Sequence, residues 1–123
     1  MTSTDDKVVV GLTHGPDDPE DVLLAYLMGV EALRAGKEAL LFLTKDAVQL
    51  AFDGGIERVE LEGAPTVAAL HEEYEERGGR TYACPVCVNL RGLADEPLVG
   101  KAEVKGAPSM YEFATGGALV LSC

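Results

Sequence analysis

The chain has 123 residues, with 21 acidic against 10 basic side chains and a formal net charge of −11. That length suits one domain and buries roughly two-thirds of the unfolded surface, enough for a core without disulfide staples. So acidic a chain lacks the basic footprint that nucleic acid requires and is poorly matched to anionic lipid, so neither is expected as a partner. Its 47% hydrophobic and 25% charged residues exclude a disordered or fibrous chain.

No apolar run reaches the roughly 18–20 residues needed to span a bilayer. Residues 1–6 are polar and acidic, unlike a secretory signal with its basic start and apolar stretch. Three cysteines, an odd number, fit a reducing compartment better than a disulfide framework. The expectation is a cytoplasmic protein whose thiols are free for chemistry.

Lys7–Leu12 (KVVVGL) is a continuous β-branched run, as in a strand covered on both faces. Residues 13–19 form a turn-rich loop containing His14. A helix is predicted from Pro19 or Glu20 to Ala35, with Asp18 as N-cap, Pro19 at the first position and Gly36 as the stop. Glu20 and Asp21 complement the dipole of its first turn. Glu38–Leu43 (EALLFL) reads as a second buried strand. A short helix follows, beginning at Thr44 or Asp46, running to about Phe52 and ending at Gly54-Gly55.

Residues 56–61 alternate apolar and charged side chains, the pattern of a short edge strand or extended connection. Pro65 marks a helix start, and residues 66–77 carry the helix with Val67, Leu70 and Tyr74 inward. Glu72, Glu73, Glu75 and Glu76 are expected to face water, with docking of a basic partner as the alternative. His71 is expected at the surface or its boundary. Gly78-Gly79 stops the helix, and Arg80–Ala83 is a strand that runs into Cys84-Pro85-Val86-Cys87. One or two helical turns follow over 88–93. A short strand over 101–104, a helix over 108–115 with Met110, Phe113 and Ala114 inward, and an apolar strand over 118–123 complete the chain. This alternation predicts a single α/β domain over residues 1–123, with a mainly parallel sheet and right-handed crossovers.

The first long helix carries Val22, Leu23, Leu24, Tyr26, Leu27, Met28, Val30 and Leu33, more than one stripe of about 100° accommodates. Deep packing within the domain is one explanation. A second apolar face used for self-association is the other, and it is the one favoured for so small a chain.

The strongest chemical signal is Cys84-Pro85-Val86-Cys87. Cys84 falls at the carboxyl end of a predicted strand, the edge where ligands bind in open parallel sheets. Pro85 suits the first position of a following helix, which places Cys84 near the N-cap. There, free N–H groups and the helix dipole stabilise a thiolate. Cys87 lies one turn further on, and Arg91 one turn beyond that, where it could add positive potential.

Two buried hydrophobes, a zinc ligand pair and a reactive thiol are the competing readings of the two cysteines. Zinc usually takes four ligands. Only Cys123, His14 and His71 remain, and none has ligand spacing to another, so no metal is expected. A reactive thiol is therefore favoured, either as a dithiol redox motif or as a sulfur-transfer group. The tetrapeptide looks similar to glutaredoxin and thioredoxin centres, but those follow the first strand and lead a long helix, so a thioredoxin fold is discounted. His14 shares the sheet edge with Cys84 and is a candidate to bond a persulfide or anion. Asp17 and Asp18 read as helix initiators. The 13–16 loop lacks both G-x-G-x-x-G and the P-loop pattern, so no nucleotide cofactor is expected. Cys123 is either a core thiol or a thiol at a strand end near Cys84.

The whole chain resembles the DsrE/DsrF-like sulfur-relay family, which includes YchN-like and TusD-like proteins. The resemblance rests on the opening strand and its Gly-Pro-Asp-Asp-Pro loop, GKEALLFLT at 36–44, Lys45-Asp46-Ala47-Val48, and GGRTYACPVC at 78–87. It continues through Arg91-Gly92-Leu93, Gly106-Ala107 and Gly116-Gly117. It implies a three-layer α/β/α sandwich with a five-stranded parallel sheet, assembled as trimers or hexamers. It further implies that the cysteine at position 84 carries a persulfide and passes sulfane sulfur between donor and acceptor proteins. Cys87 corresponds to a second thiol found in some members. The function expected is sulfur trafficking without a cofactor. A CxxC thiol–disulfide oxidoreductase or peroxide-responsive protein, and an oligomeric binding protein with incidental cysteines, are the alternatives.

Overall fold

The structure is a computed structural model that describes residues 6–61 and 66–123. Residues 1–5 of the polar start, and Pro65, expected to open a helix, lie outside the described residues. Strands β1 (Lys7–Leu12), β2 (Glu38–Leu43), β3 (Arg80–Ala83), β4 (Glu103–Val104) and β5 (Leu119–Ser122) form one sheet in the order β4-β3-β2-β1-β5. All pairings between these strands are parallel.

Alternate side chains of the sheet feed two cores, which is why β1 and β2 read as unbroken apolar runs. Val8, Val10, Leu12, Leu41, Leu43 and Ala83 join a large cluster with α1 (Pro19–Arg34) and α2 (Val67–Glu76). Val9, Leu40 and Tyr82 point the other way, to Phe113 of α4 (Ala107–Phe113). The result is the expected three-layer arrangement. At one sheet edge, β5 leaves Leu119 and Val120 exposed.

Helix α1 begins as its sequence dictates. The Asp18 carboxylate accepts from the Asp21 N–H, and Pro19 follows at the first position. Gly36 takes a φ of +84° just beyond the C-terminus, a conformation open to glycine at little cost. Its surplus of apolar residues is mostly used inside the chain. Val22, Leu23, Tyr26 and Val30 are buried, Leu27, Met28 and Leu33 pack partly against the same core, and Leu24 remains exposed.

Tyr74 of α2 is fully buried, with its ring lying between two glycines. A Cβ on Gly29 would come within 2.8 Å of the ring, and one on Gly79 would collide with it. Helix α1, helix α2 and the start of β3 therefore meet on one aromatic plate.

Two expectations need correction. Of the two readings of residues 56–61, the connection holds and the edge strand does not. Ile56–Arg58 is a single 3-10 turn whose Ile56 is buried, and the place beside β2 is taken by β3. An alternating pattern gives a strand only where a neighbour has free hydrogen-bonding groups. Glu75 does not face water either. Its side chain is 14% exposed, and its Oε2 accepts from the Lys101 N–H at 3.0 Å, because the segment leading into β4 crosses the end of α2. The expected short helix after β2 is a 3-10 segment, Lys45–Ala51, with Ala47, Val48, Leu50 and Ala51 buried.

Candidate functional site

The sheet delivers Cys84 directly. Its N–H donates to the Leu43 carbonyl at 3.0 Å, extending the β2–β3 ladder by one rung. Its own carbonyl accepts from the Val88 N–H at 3.0 Å, closing the first turn of α3 (Pro85–Leu90). Cys84 is thus both the last rung of a strand and the N-cap of a helix. Pro85 occupies the first helical position, where a missing N–H costs nothing.

The thiol lies in that turn. Burial pushes its pKa up, but the N–H groups of Cys87 and Val86, with the Cys87 thiol as a further donor, outweigh burial and hold it below the ordinary thiol value. More of Cys84 is therefore thiolate at neutral pH than of a free cysteine. It is part-buried, and so is Cys87. On the outer side of α3, Val86 and Leu90 are exposed. The arrangement places a thiol of lowered pKa at the carboxyl edge of a parallel sheet, with a second thiol one turn along the helix.

Arg91 has a different task from the one expected. Its Nε donates to Asp46 Oδ1 at 3.0 Å and its Nη1 to the Cys87 carbonyl at 3.3 Å. The guanidinium ties the end of α3 to the 3-10 segment after β2, and its charge is met by Asp46. Asp46 was missed as a site residue, although its Lys-Asp-Ala-Val setting was visible. Gly15 fits against the Asp46 carbonyl so closely that a Cβ would collide with it. The loop after β1, the 3-10 segment and α3 thus form one chain of contacts.

His14 lies on the predicted edge but is engaged elsewhere. Its Nδ1 is 2.9 Å from Asp17 Oδ2, and Asp17 Oδ1 accepts from the Gly15 N–H at 2.8 Å. The hydrogen bond to Asp17 raises the His14 pKa, while the imidazole and the Gly15 N–H depress that of Asp17. Asp17 therefore shapes the loop, whereas Asp18 caps α1. Cys123 is part-buried against the main core and extends β5, its N–H donating to the Gly11 carbonyl at 2.8 Å. Burial and the charge of Asp21 push its thiol up, the opposite direction to Cys84.

Among the described residues, His14, Asp18 and Asp21 are the set whose ligand atoms lie within 4.8 Å of one another, and neither Cys84 nor Cys87 belongs to it. These three crowd the positive end of α1, where the dipole opposes a cation. No helix of the described residues is long and apolar enough to cross a membrane.

Fold and site together define a class: a parallel α/β/α domain that offers a thiol from the junction of its third strand and the following helix. The chain belongs to the DsrE/DsrF-like family, whose model matches residues 6–122. It is 25% identical over 113 residues to the uncharacterized protein MJ0760 of Methanocaldococcus jannaschii, covering 92% of this chain and 41% of that one. The chain thus spans less than half the length of that relative. It is 28% identical over 99 residues to the uncharacterized protein MK0008 of Methanopyrus kandleri, covering 80% of this chain and 78% of the other. Among solved structures, the YchN protein from E. coli superposes with a TM-score of 0.79 at 18% identity, over 96% of this chain and 99% of that one. MTH1491 from Methanobacterium thermoautotrophicum, a protein of unknown function, gives 0.69 at 20% identity, over 95% and 98%. These superpositions establish the fold.

Proposed function

We propose that the protein traffics sulfur, carrying sulfane sulfur as a persulfide on Cys84 and passing it to a partner. The observation that carries this reading is the Cys84 thiol in the first turn of α3, its pKa lowered by the N–H groups of Cys87 and Val86. Membership of a family generally linked to sulfur relay supports it.

The Cys84 thiolate attacks the outer sulfur of a donor persulfide or polysulfide. A Cys84 S–S bond forms, the donor S–S bond breaks, and the donor leaves as a thiolate. An acceptor thiolate then attacks the outer sulfur and Cys84 leaves as thiolate. No electrons are gained or lost overall. The working form on this reading is a homo-oligomer, a trimer or hexamer, in the reducing cytoplasm, meeting separate donor and acceptor proteins.

The placement of Cys87 in the first turn of α3 favours a second reading, in which it completes a dithiol centre with Cys84. Its thiolate attacks the Cys84 sulfur of the persulfide, forming a Cys84–Cys87 disulfide and expelling sulfide. Regeneration then consumes a dithiol reductant.

Incubation with polysulfide followed by peptide mass spectrometry separates the two. Relay gives a one-sulfur increment on Cys84 that cyanide removes and that Cys84→Ser abolishes. The dithiol reading gives an intramolecular disulfide with release of sulfide. Neither product, together with alkylation of Cys84 no faster than that of a free thiol, overturns both.

A further inference from the structure

A cavity of about 360 Å³ opens between α2 and the Ile56–Arg58 turn, and none of the residues of the thiol site lines it. Its size falls within the range of about 300–1,000 Å³ typical of small-molecule sites. Ile56, Ala68 and Val99 supply apolar wall. Glu57, Glu72 and Glu75 also line it, with His71 among them. Three carboxylates around an apolar hollow match a ligand with a greasy body and a positive head.

Glu75 adds an independent reason. Its Oε1 is buried without a hydrogen-bond partner. His71 Nε2 stands 3.5 Å away, within reach of an ion pair when the imidazole is protonated but too far for a regular hydrogen bond. The other oxygen is already committed to the Lys101 N–H. A buried carboxylate oxygen left in this state is costly. Its charge is felt deeper in the protein, where burial first and Glu75 second hold the Tyr26 phenol protonated. Tyr26 in turn packs edge-on against His71, with ring centroids 5.7 Å apart, so the imidazole wall is held in place.

We infer that this cavity binds a small organic cation, a primary amine carried on an apolar body. The ammonium group faces the three carboxylates and the body lies against Ile56, Ala68 and Val99. The site is separate from the sulfur chemistry at Cys84 and does not depend on it.

Hexylamine, hexanol and hexanoate share one body and differ in the charge of the head. The whole chain is titrated with each while side-chain NMR signals of His71 and Ala68 are followed. Hexylamine is expected to shift both, to bind several-fold more tightly than hexanol, and to weaken with salt, whereas hexanoate leaves them unmoved. Ala68→Leu, at an exposed position, is expected to fill the hollow and abolish binding. Glu57→Gln combined with Glu72→Gln, both also exposed, is expected to weaken hexylamine several-fold and leave hexanol unchanged, and an unchanged hexylamine affinity also overturns the proposal. Circular dichroism confirms that each variant is folded. Equal affinity for hexylamine and hexanol, or hexylamine binding that survives Ala68→Leu, overturns the proposal. The alkylation rate of Cys84 is expected to be the same with and without hexylamine, and a change in it counts against a separate site.

Discussion

The Tyr74 hydroxyl donates a hydrogen bond to the carbonyl of Arg80, the first residue of the strand that ends at Cys84. The bond joins α2 to β3 across the Gly78-Gly79 turn. Tyr74→Phe keeps the ring but removes that bond, and a loss of about 0.5–1.5 kcal/mol is expected in urea denaturation. An unchanged midpoint would mean that the carbonyl finds another donor.

Gly29→Ala sets two effects against each other. Alanine inside a helix ordinarily gains roughly 0.5–1 kcal/mol over glycine. Here the new methyl meets the Tyr74 ring at 2.8 Å, and Gly79 closes the ring's other side. Overpacking of this kind costs about 1–3 kcal/mol, so a net loss is expected. Thermal denaturation decides, and a rise in Tm would contradict the packing.

The alkaline limit should be set by Tyr26 and Tyr74. Burial raises both phenols above their ordinary value, with the charge of Glu75 adding to Tyr26 and that of Tyr26 to Tyr74. The unfolded chain therefore loses these protons first. Their contribution to stability is intact below the unfolded value near 10 and declines as pH rises through it. Absorbance of tyrosinate should show part of the tyrosine signal appearing only together with loss of circular dichroism.

Acid acts at a different place. Glu73 is held at about 2, chiefly by hydrogen bonds from Arg34 of α1 and then from Arg77. Its folded value lies below the unfolded one, so the contribution is present above the unfolded carboxylate value, near 4.3, and lost as pH falls towards 2. Glu73→Gln should be less stable than the parent at neutral pH and equal to it near pH 2. Because the cluster is exposed, added salt should narrow the difference. Urea titrations at several pH values test this.

The thiols should separate cleanly by rate. Cys84 is expected to react with iodoacetamide faster than Cys123 at neutral pH, with its half-maximal rate at lower pH. Cys87→Ala removes one donor and leaves the backbone N–H groups, so Cys84 should shift up without reaching the free-cysteine value. Asp21→Asn should lower the Cys123 value by removing a nearby negative charge. Peptide mass spectrometry of partly alkylated protein reads each position.

Strands β1 and β2 were legible because each is an apolar run between turn residues, β3 because Gly78-Gly79 and Cys84-Pro85 bracket it, and α1 because Asp18-Pro19 and Gly36 punctuate it. The position of Cys84 followed from the same logic, a strand end next to a proline that starts a helix. Residues 56–61 misled because alternation shows which side chains are apolar but not whether a neighbouring strand is available. Glu75 misled because the residue that buries it, Lys101, is remote in sequence. The same holds for Arg91, whose partner Asp46 comes from another element. Local pattern carries helix starts and stops, whereas side-chain contacts across 26 or 45 residues of chain have no local signature.

The contacts from Gly15 to Asp46, Asp46 to Arg91 and Arg91 to the Cys87 carbonyl also set a mechanical condition. The turn bearing Cys84 is clamped on the strand side by its ladder bond and on the helix side by Arg91. A turn fixed at both ends gives up little freedom when another molecule meets it, so encounter carries a small ordering cost on this side. Whatever approaches that sulfur must bring its own reacting atom into line, and the burden of adjustment falls on the visitor.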